Sequence, residues 1–218
     1  MSDIFQEVDE EVRRDKALEF WKKHQNLIIA GAALIVLATG GYRFYENRKL
    51  AEQQAAGAAF QQALALDRDG KEADAQAALA ALAANAPHGY QTLARLAGAA
   101  VQSKTDSKGA LAVYDALAAD RSIGPLFQDA AKLRGALLRL DEGDVAAAKP
   151  AFEALAAPTG AYRFTARLAL GVIALDAGDY SEAGRELDLV VADPEAPAAE
   201  KRSAESLFGL VAANRPAK

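Results

Sequence analysis

Ala177 to Val190 reads AGDYSEAGRELDLV, and three other stretches align with it on one alanine: GKEADAQAALAAL from Gly70, TDSKGALAVYDAL ending at Leu117, and EGDVAAAKPAFEAL ending at Leu155. The aligned alanines, Ala75, Ala110, Ala148 and Ala183, are 35, 38 and 35 residues apart. Four residues after each comes a larger side chain, Leu79, Tyr114, Phe152 or Leu187, and three further on Leu82, Leu117, Leu155 or Val190. A small residue followed by large ones at these spacings marks the face of a helix that meets a close neighbour. Recurrence at this period predicts helix pairs stacked in series.

Further helices are predicted between these, over about His88 to Gln102, Pro125 to Leu140, Tyr162 to Ala177 and Ala198 to Asn214. Pro87, Pro125, Pro158, Pro194 and Pro197 stand at the joints, where a fixed φ and a missing N–H suit helix starts. Asp-Glu-Gly-Asp at 141–144 and Asp-Ala-Gly-Asp at 176–179 read as a helix stop followed by a start. Glycine serves the left-handed end, and Asp144 or Asp179 is the next N-cap. With 54 alanines in 218 residues and few β-branched residues after residue 45, the chain leans to helix and predicts no sheet.

The pattern resembles the tetratricopeptide repeat, a unit of about 34 residues with a small residue in each helix, an aromatic four residues after the second one and a proline at the end. Ala183, Ala75 and Pro87 fit, and Gly98 and Gly171 stand twelve residues before Ala110 and Ala183, where that family places its first-helix glycine. The resemblance covers roughly residues 50–214. It departs where no Trp opens a repeat, where Lys132 and Arg167 replace apolar residues, and where one unit is stretched to 38 residues.

Ahead of the repeats, His24 to Tyr42, HQNLIIAGAALIVLATGGY, runs 19 residues without an Asp, Glu, Lys or Arg. A helix of that length is about 28 Å long, close to the ~30 Å hydrocarbon core of a bilayer. Trp21 at one end and Tyr42, Phe44 and Tyr45 at the other suit the headgroup boundary. A transmembrane helix is therefore expected over 24–45. Five basic residues precede it (Arg13, Arg14, Lys16, Lys22, Lys23) and three soon follow (Arg43, Arg48, Lys49), which places the N-terminus in the cytoplasm. A cleaved signal is disfavoured, because the charged region before the apolar run is long and acidic and no A-x-A site ends the run. Gly40-Gly41 lacks a small residue four positions away and reads as tolerated glycine in a membrane helix.

Residues 1–23 read as a cytoplasmic amphipathic segment, with Asp3 and Gln6 as a capping pair and Ile4, Phe5, Val8 and Val12 on one face. It is either a docking element or a solvated lead-in. The helical pattern continues from Arg43 to Asp67, so 46–69 is the connecting or first repeat helix and 70–218 the repeat domain.

After Tyr45 there are 19 Lys plus Arg against 23 Asp plus Glu, interspersed, which argues against a nucleic-acid partner. Absence of Cys removes disulfides and thiolate chemistry. His24 and His88 are 64 residues apart without partner motifs, and neither a nucleotide cradle nor a full calcium-loop series occurs. The expectation is no enzyme, no cofactor, no metal and no small-molecule substrate. Two apolar stripes remain, Leu133, Leu137, Leu140 and Leu168, Val172, Leu175, offset by 35 residues. They are candidate partner-binding residues if they line a concave groove, and inter-repeat core if they do not.

The fold expected is therefore all-α, an N-terminal transmembrane helix followed by a tetratricopeptide-like α-solenoid. In architecture the whole resembles the bacterial single-span ancillary translocon subunits. That resemblance implies a single-pass inner-membrane protein with a periplasmic repeat domain, binding the export channel, periplasmic chaperones or client chains. The alternative is a structural coordinator of cell-envelope or division machinery.

Overall fold

The structure, a computed structural model, describes the backbone of residues 3–214 and their side chains except 3–12, 17 and 28. The pair Asp3 and Gln6 and the face of Ile4, Phe5, Val8 and Val12 lie outside the described side chains. Among the described residues every regular element is helical: α1 (Asp3–Arg68), α2 (Glu72–Asn85), α3 (His88–Gln102), α4 (Ser107–Ala119), α5 (Pro125–Asp141), α6 (Val145–Leu155), α7 (Arg163–Asp176), α8 (Tyr180–Val191) and α9 (Ala198–Asn214), with a 3-10 turn at Arg121–Ile123. The chain divides into two units, Met1–Gln54 and Ala55–Lys218.

In the first unit, Leu34, Ile35, Val36 and Leu37 of α1 are 65–76% accessible. Four consecutive helical residues point to every side of the axis, so this segment has no single apolar stripe. No single helix among the described residues is long and apolar enough to cross a membrane. Arg13–Leu27 and Ile29–Arg68, bent by 42°, meet that requirement only as a pair.

In the second unit the aligned repeat residues form the core. Ala75, Ala110, Ala148 and Ala183 are fully buried, as are Leu79, Tyr114, Phe152 and Leu187 four residues on, and Leu82, Leu117, Leu155 and Val190 are buried too. The core is a succession of local clusters. One joins α1, α2 and α3 through Ala63, Leu79 and Val101, another α5, α6 and α7 through Leu133, Phe152 and Leu170, and another α7, α8 and α9 through Phe164, Leu187 and Val211. Smaller clusters link α3, α4 and α5. Each cluster draws on two or three helices close in sequence, which is how a solenoid is built.

The joints follow local chemistry. Gly70, Gly143 and Gly178 have φ between 73° and 80°, the left-handed conformation that ends α1, α5 and α7. Asp106, Asp144 and Asp179 accept the backbone N–H three residues on at 2.9–3.0 Å and so start α4, α6 and α8. Pro125 opens α5 at its first turn, while Pro150 lies inside α6. The 38-residue unit takes up its extra length in the 3-10 turn and in α5, which has 17 residues against 15 in α3 and 14 in α7.

The glycines divide by neighbour. A Cβ on Gly171 would stand 2.9 Å from Leu187 Cδ2 on the following α8, the within-pair approach that the repeat resemblance implies. Gly98 instead faces Leu79 of the preceding α2, and Gly135 faces Tyr114 of the preceding α4. Among these three glycines close approach is therefore confined to the pair α7 and α8, while Gly98 and Gly135 make ordinary contacts with the preceding repeat.

Candidate functional site

Three helices of the second unit each turn one stripe into a common groove of about 560 Å³. α1 contributes Phe60, Leu64 and Asp67, and α3 contributes Leu93, Leu96, Ala97, Ala100 and Val101. α5 contributes Ala130, Leu133, Arg134 and Leu137, while Tyr162 and Thr165 close the far end at the start of α7. Within each helix the spacing is three, four or seven residues, one face of an α-helix. Between helices it is constant at 37: Phe60, Ala97 and Arg134 are equivalent, as are Leu93 and Ala130, Leu96 and Leu133, Leu64 and Val101, and Ala100 and Leu137. The groove is thus a product of the repeat, with one row per helix.

Its chemistry is apolar with two charges. The Asp67 carboxylate accepts a 2.7 Å hydrogen bond from Lys104 Nζ, which also reaches Glu72 at 3.4 Å. Hydrogen bonding to Asp67 raises the Lys104 pKa above its usual 10.5. Arg134 is exposed and has no ion-pair or hydrogen-bond partner among the described residues.

Of the six sequence candidates, Leu133 and Leu137 line this groove while also packing on the α5–α7 cluster. Leu140 packs on that cluster alone, and Leu168 and Leu175 pack on the α7–α9 cluster. Val172 is half-buried and outside the groove. Five of the six thus pack on neighbouring helices, and Leu133 and Leu137 also face the groove.

Phe60, Leu64, Leu93 and Leu96 were not reached by the sequence reading. The signal for them was an offset of 37 residues, hidden because the alanine alignment imposes 35 and then 38 and because alanine fills so many of the intervening positions.

A second cleft of about 370 Å³ lies between α2 and α4 over Gly98, lined mainly by alanines. Its polar side chains are largely engaged within the fold: Arg95 with Asp120 at 3.5 Å and Gln102 with Asp106 at 2.9 Å. The histidines sit apart. His24 stacks on Phe20, and His88 Nε2 lies 3.5 Å from the Ser122 carbonyl. Among the described residues no group of three His, Cys, Asp or Glu gathers as a metal site.

A family model described as a tetratricopeptide repeat-like domain matches residues 18–154, which takes in most of α1, all of α2 to α5 and all but the last residue of α6. No curated protein and no solved structure gives a match.

Proposed function

The chain belongs to the tetratricopeptide repeat-like domain family, and on that premise we propose that it is a non-enzymatic, membrane-anchored scaffold whose groove binds segments of other proteins. Repeat domains of this kind serve protein–protein interaction, and the observation that carries the reading is the groove itself. Three helices present equivalent apolar rows to open space, a shape that takes a helix or an extended apolar segment.

The anchor is supported by the all-round exposure of Leu34 to Leu37. Each such side chain held in water forgoes roughly 1.5–3 kcal/mol of burial, and hydrocarbon on every side removes that deficit. The family match begins at residue 18 and therefore includes this segment with the repeats. The excess of basic residues before it directs the repeat domain to the far side of a bacterial inner membrane. There an anchored scaffold raises the local concentration of its groove beside a membrane machine. We place it as an accessory of protein export or envelope assembly, handing emerging chains from the translocon to periplasmic chaperones.

In-cell photocrosslinking tests this. A photoreactive residue at Leu96 or Ala130, both on the groove, should give adducts with the export channel, periplasmic chaperones or exported chains. The same residue at Leu189, exposed on α8 and outside the groove, should not. Adducts with cytoplasmic proteins would overturn the location, and equal adducts from Leu189 would overturn the groove.

A further inference from the structure

We propose that the groove between α1, α3 and α5 selects segments that carry an acidic side chain among apolar ones, with Arg134 as the contact for the acid. This rests on the reading of the groove as the binding surface. The position that Arg134 fills on α5 is filled by Phe60 on α1 and Ala97 on α3, so a cation interrupts a row that is otherwise apolar.

Among the described bases of the domain, Arg134 shares the lack of a carboxylate partner with Arg68, Lys71, Lys108, Arg121, Lys201 and Arg202, but of these it alone lines the groove. Arg95, Lys104, Lys132, Arg139, Lys149, Arg163, Arg167 and Arg185 all stand within 4.0 Å of a carboxylate on the chain itself. Its own neighbour along the helix, Lys132, is paired with Asp129 at 3.1 Å. The opposite charge on the groove wall, Asp67, is engaged by Lys104 and does not turn to Arg134. What the groove offers a ligand is therefore apolar surface plus one unneutralised guanidinium, which favours a carboxylate geometrically as well as by charge. An apolar ligand bearing a lysine at that point would bring two like charges together over a surface that excludes water, and electrostatic matching of this kind decides between ligands of equal apolar area.

The test uses the full chain in an uncharged surfactant, with surfactant alone as reference. Two fluorescent amphipathic peptides serve as probes, identical except for one Glu or one Lys in the middle of the apolar face. The Glu peptide should bind roughly tenfold more tightly, and the preference should shrink at high salt. Arg134→Gln should erase the preference and Arg134→Glu should reverse it. Because Arg134 is exposed and unpaired, both variants should keep the helical spectrum and melting temperature of the parent. Equal binding of the two peptides, or a preference that survives Arg134→Glu, overturns the charge inference and leaves the groove reading standing. Failure of both peptides to bind overturns both.

Discussion

Gly98 and Gly171 occupy matching places in the repeat, twelve residues before an aligned alanine, yet added methyl groups would meet different surroundings. At Gly171 the methyl carbon would lie 2.9 Å from Leu187 Cδ2 and 3.1 Å from its Cγ, and Leu187 is fully buried and cannot swing away. Gly171→Ala should cost about 1 kcal/mol net, overpacking of ~2 kcal/mol offset by the ~1 kcal/mol by which alanine favours a helix over glycine. At Gly98 the nearest atom, Leu79 Cβ, is 3.8 Å away, an ordinary contact, so Gly98→Ala should stabilise by up to ~1 kcal/mol. Thermal melts should move in opposite directions, and a shared direction would show that the two helix contacts are equivalent after all. Arg167 was legible in the sequence only as a misfit on an apolar face. Its solution lies 19 residues away: Nη1 is 3.5 Å from Glu186 Oε2, Nη2 donates to the Ala156 carbonyl at 2.9 Å, and both side chains are largely buried. Arg167→Met should destabilise by about 2 kcal/mol, tempered because Arg185 also lies 3.6 Å from Glu186. Pairing it with Glu186→Leu should restore most of the loss in chemical denaturation, because a buried charge without its partner is worse than an apolar pair.

The helices themselves were the most legible level, and the reason is punctuation. Turn glycines and aspartate caps act over three or four residues, so reading DEGD and DAGD required no knowledge of tertiary packing, α3 begins and ends where the sequence pattern placed it, and α9 begins there too. The aspartates also tie the helices to pH. The backbone N–H of Gly109, then the Gln102 side chain, hold the Asp106 carboxyl below its ordinary 3.8, and the Ser122 hydroxyl and N–H do the same for Asp120. A carboxyl lowered in the folded state contributes stability above its unfolded pKa and loses it as pH falls through the folded value, since the unfolded chain then binds more protons. The parent should therefore lose melting temperature between about pH 5 and 3. Asp106→Asn with Asp120→Asn, which can still accept those hydrogen bonds but cannot titrate, should lose less over the same interval. Of the groove only Leu133 and Leu137, on one of its walls, were legible. Its other walls depend on how neighbouring helices are phased against one another, and in an alanine-rich chain a shift of two residues leaves the apolar pattern nearly unchanged.

For the whole molecule, a core made of local clusters sets which pieces can stand alone. The second unit begins at Ala55, and the last turns of α1 belong to it, because Phe60, Ala63 and Leu66 pack on Ala75, Leu79 and Val101. Residues 55–218 should fold as a soluble helical domain. Residues 70–218 should be less stable by about 3 kcal/mol, having lost the burial that Phe60 and Leu66 provide, and a melt that does not separate the two fragments would place the start of the domain later. On the proposed anchoring, orientation would depend on few residues. With five Lys or Arg before the apolar segment and three soon after it, protease added outside spheroplasts should digest the repeat domain and leave an epitope at the N-terminus protected. The balance is narrow enough to tip. Glu46→Lys with Glu52→Lys raises the basic residues after the segment to equal those before it, and because the rule counts bases near the ends of a span, a measurable fraction of chains should then insert with the repeat domain protected and the N-terminal epitope exposed. If the parent already protects its repeat domain, the export role falls with the orientation, while the groove and its preference for an acidic segment stand or fall on their own tests.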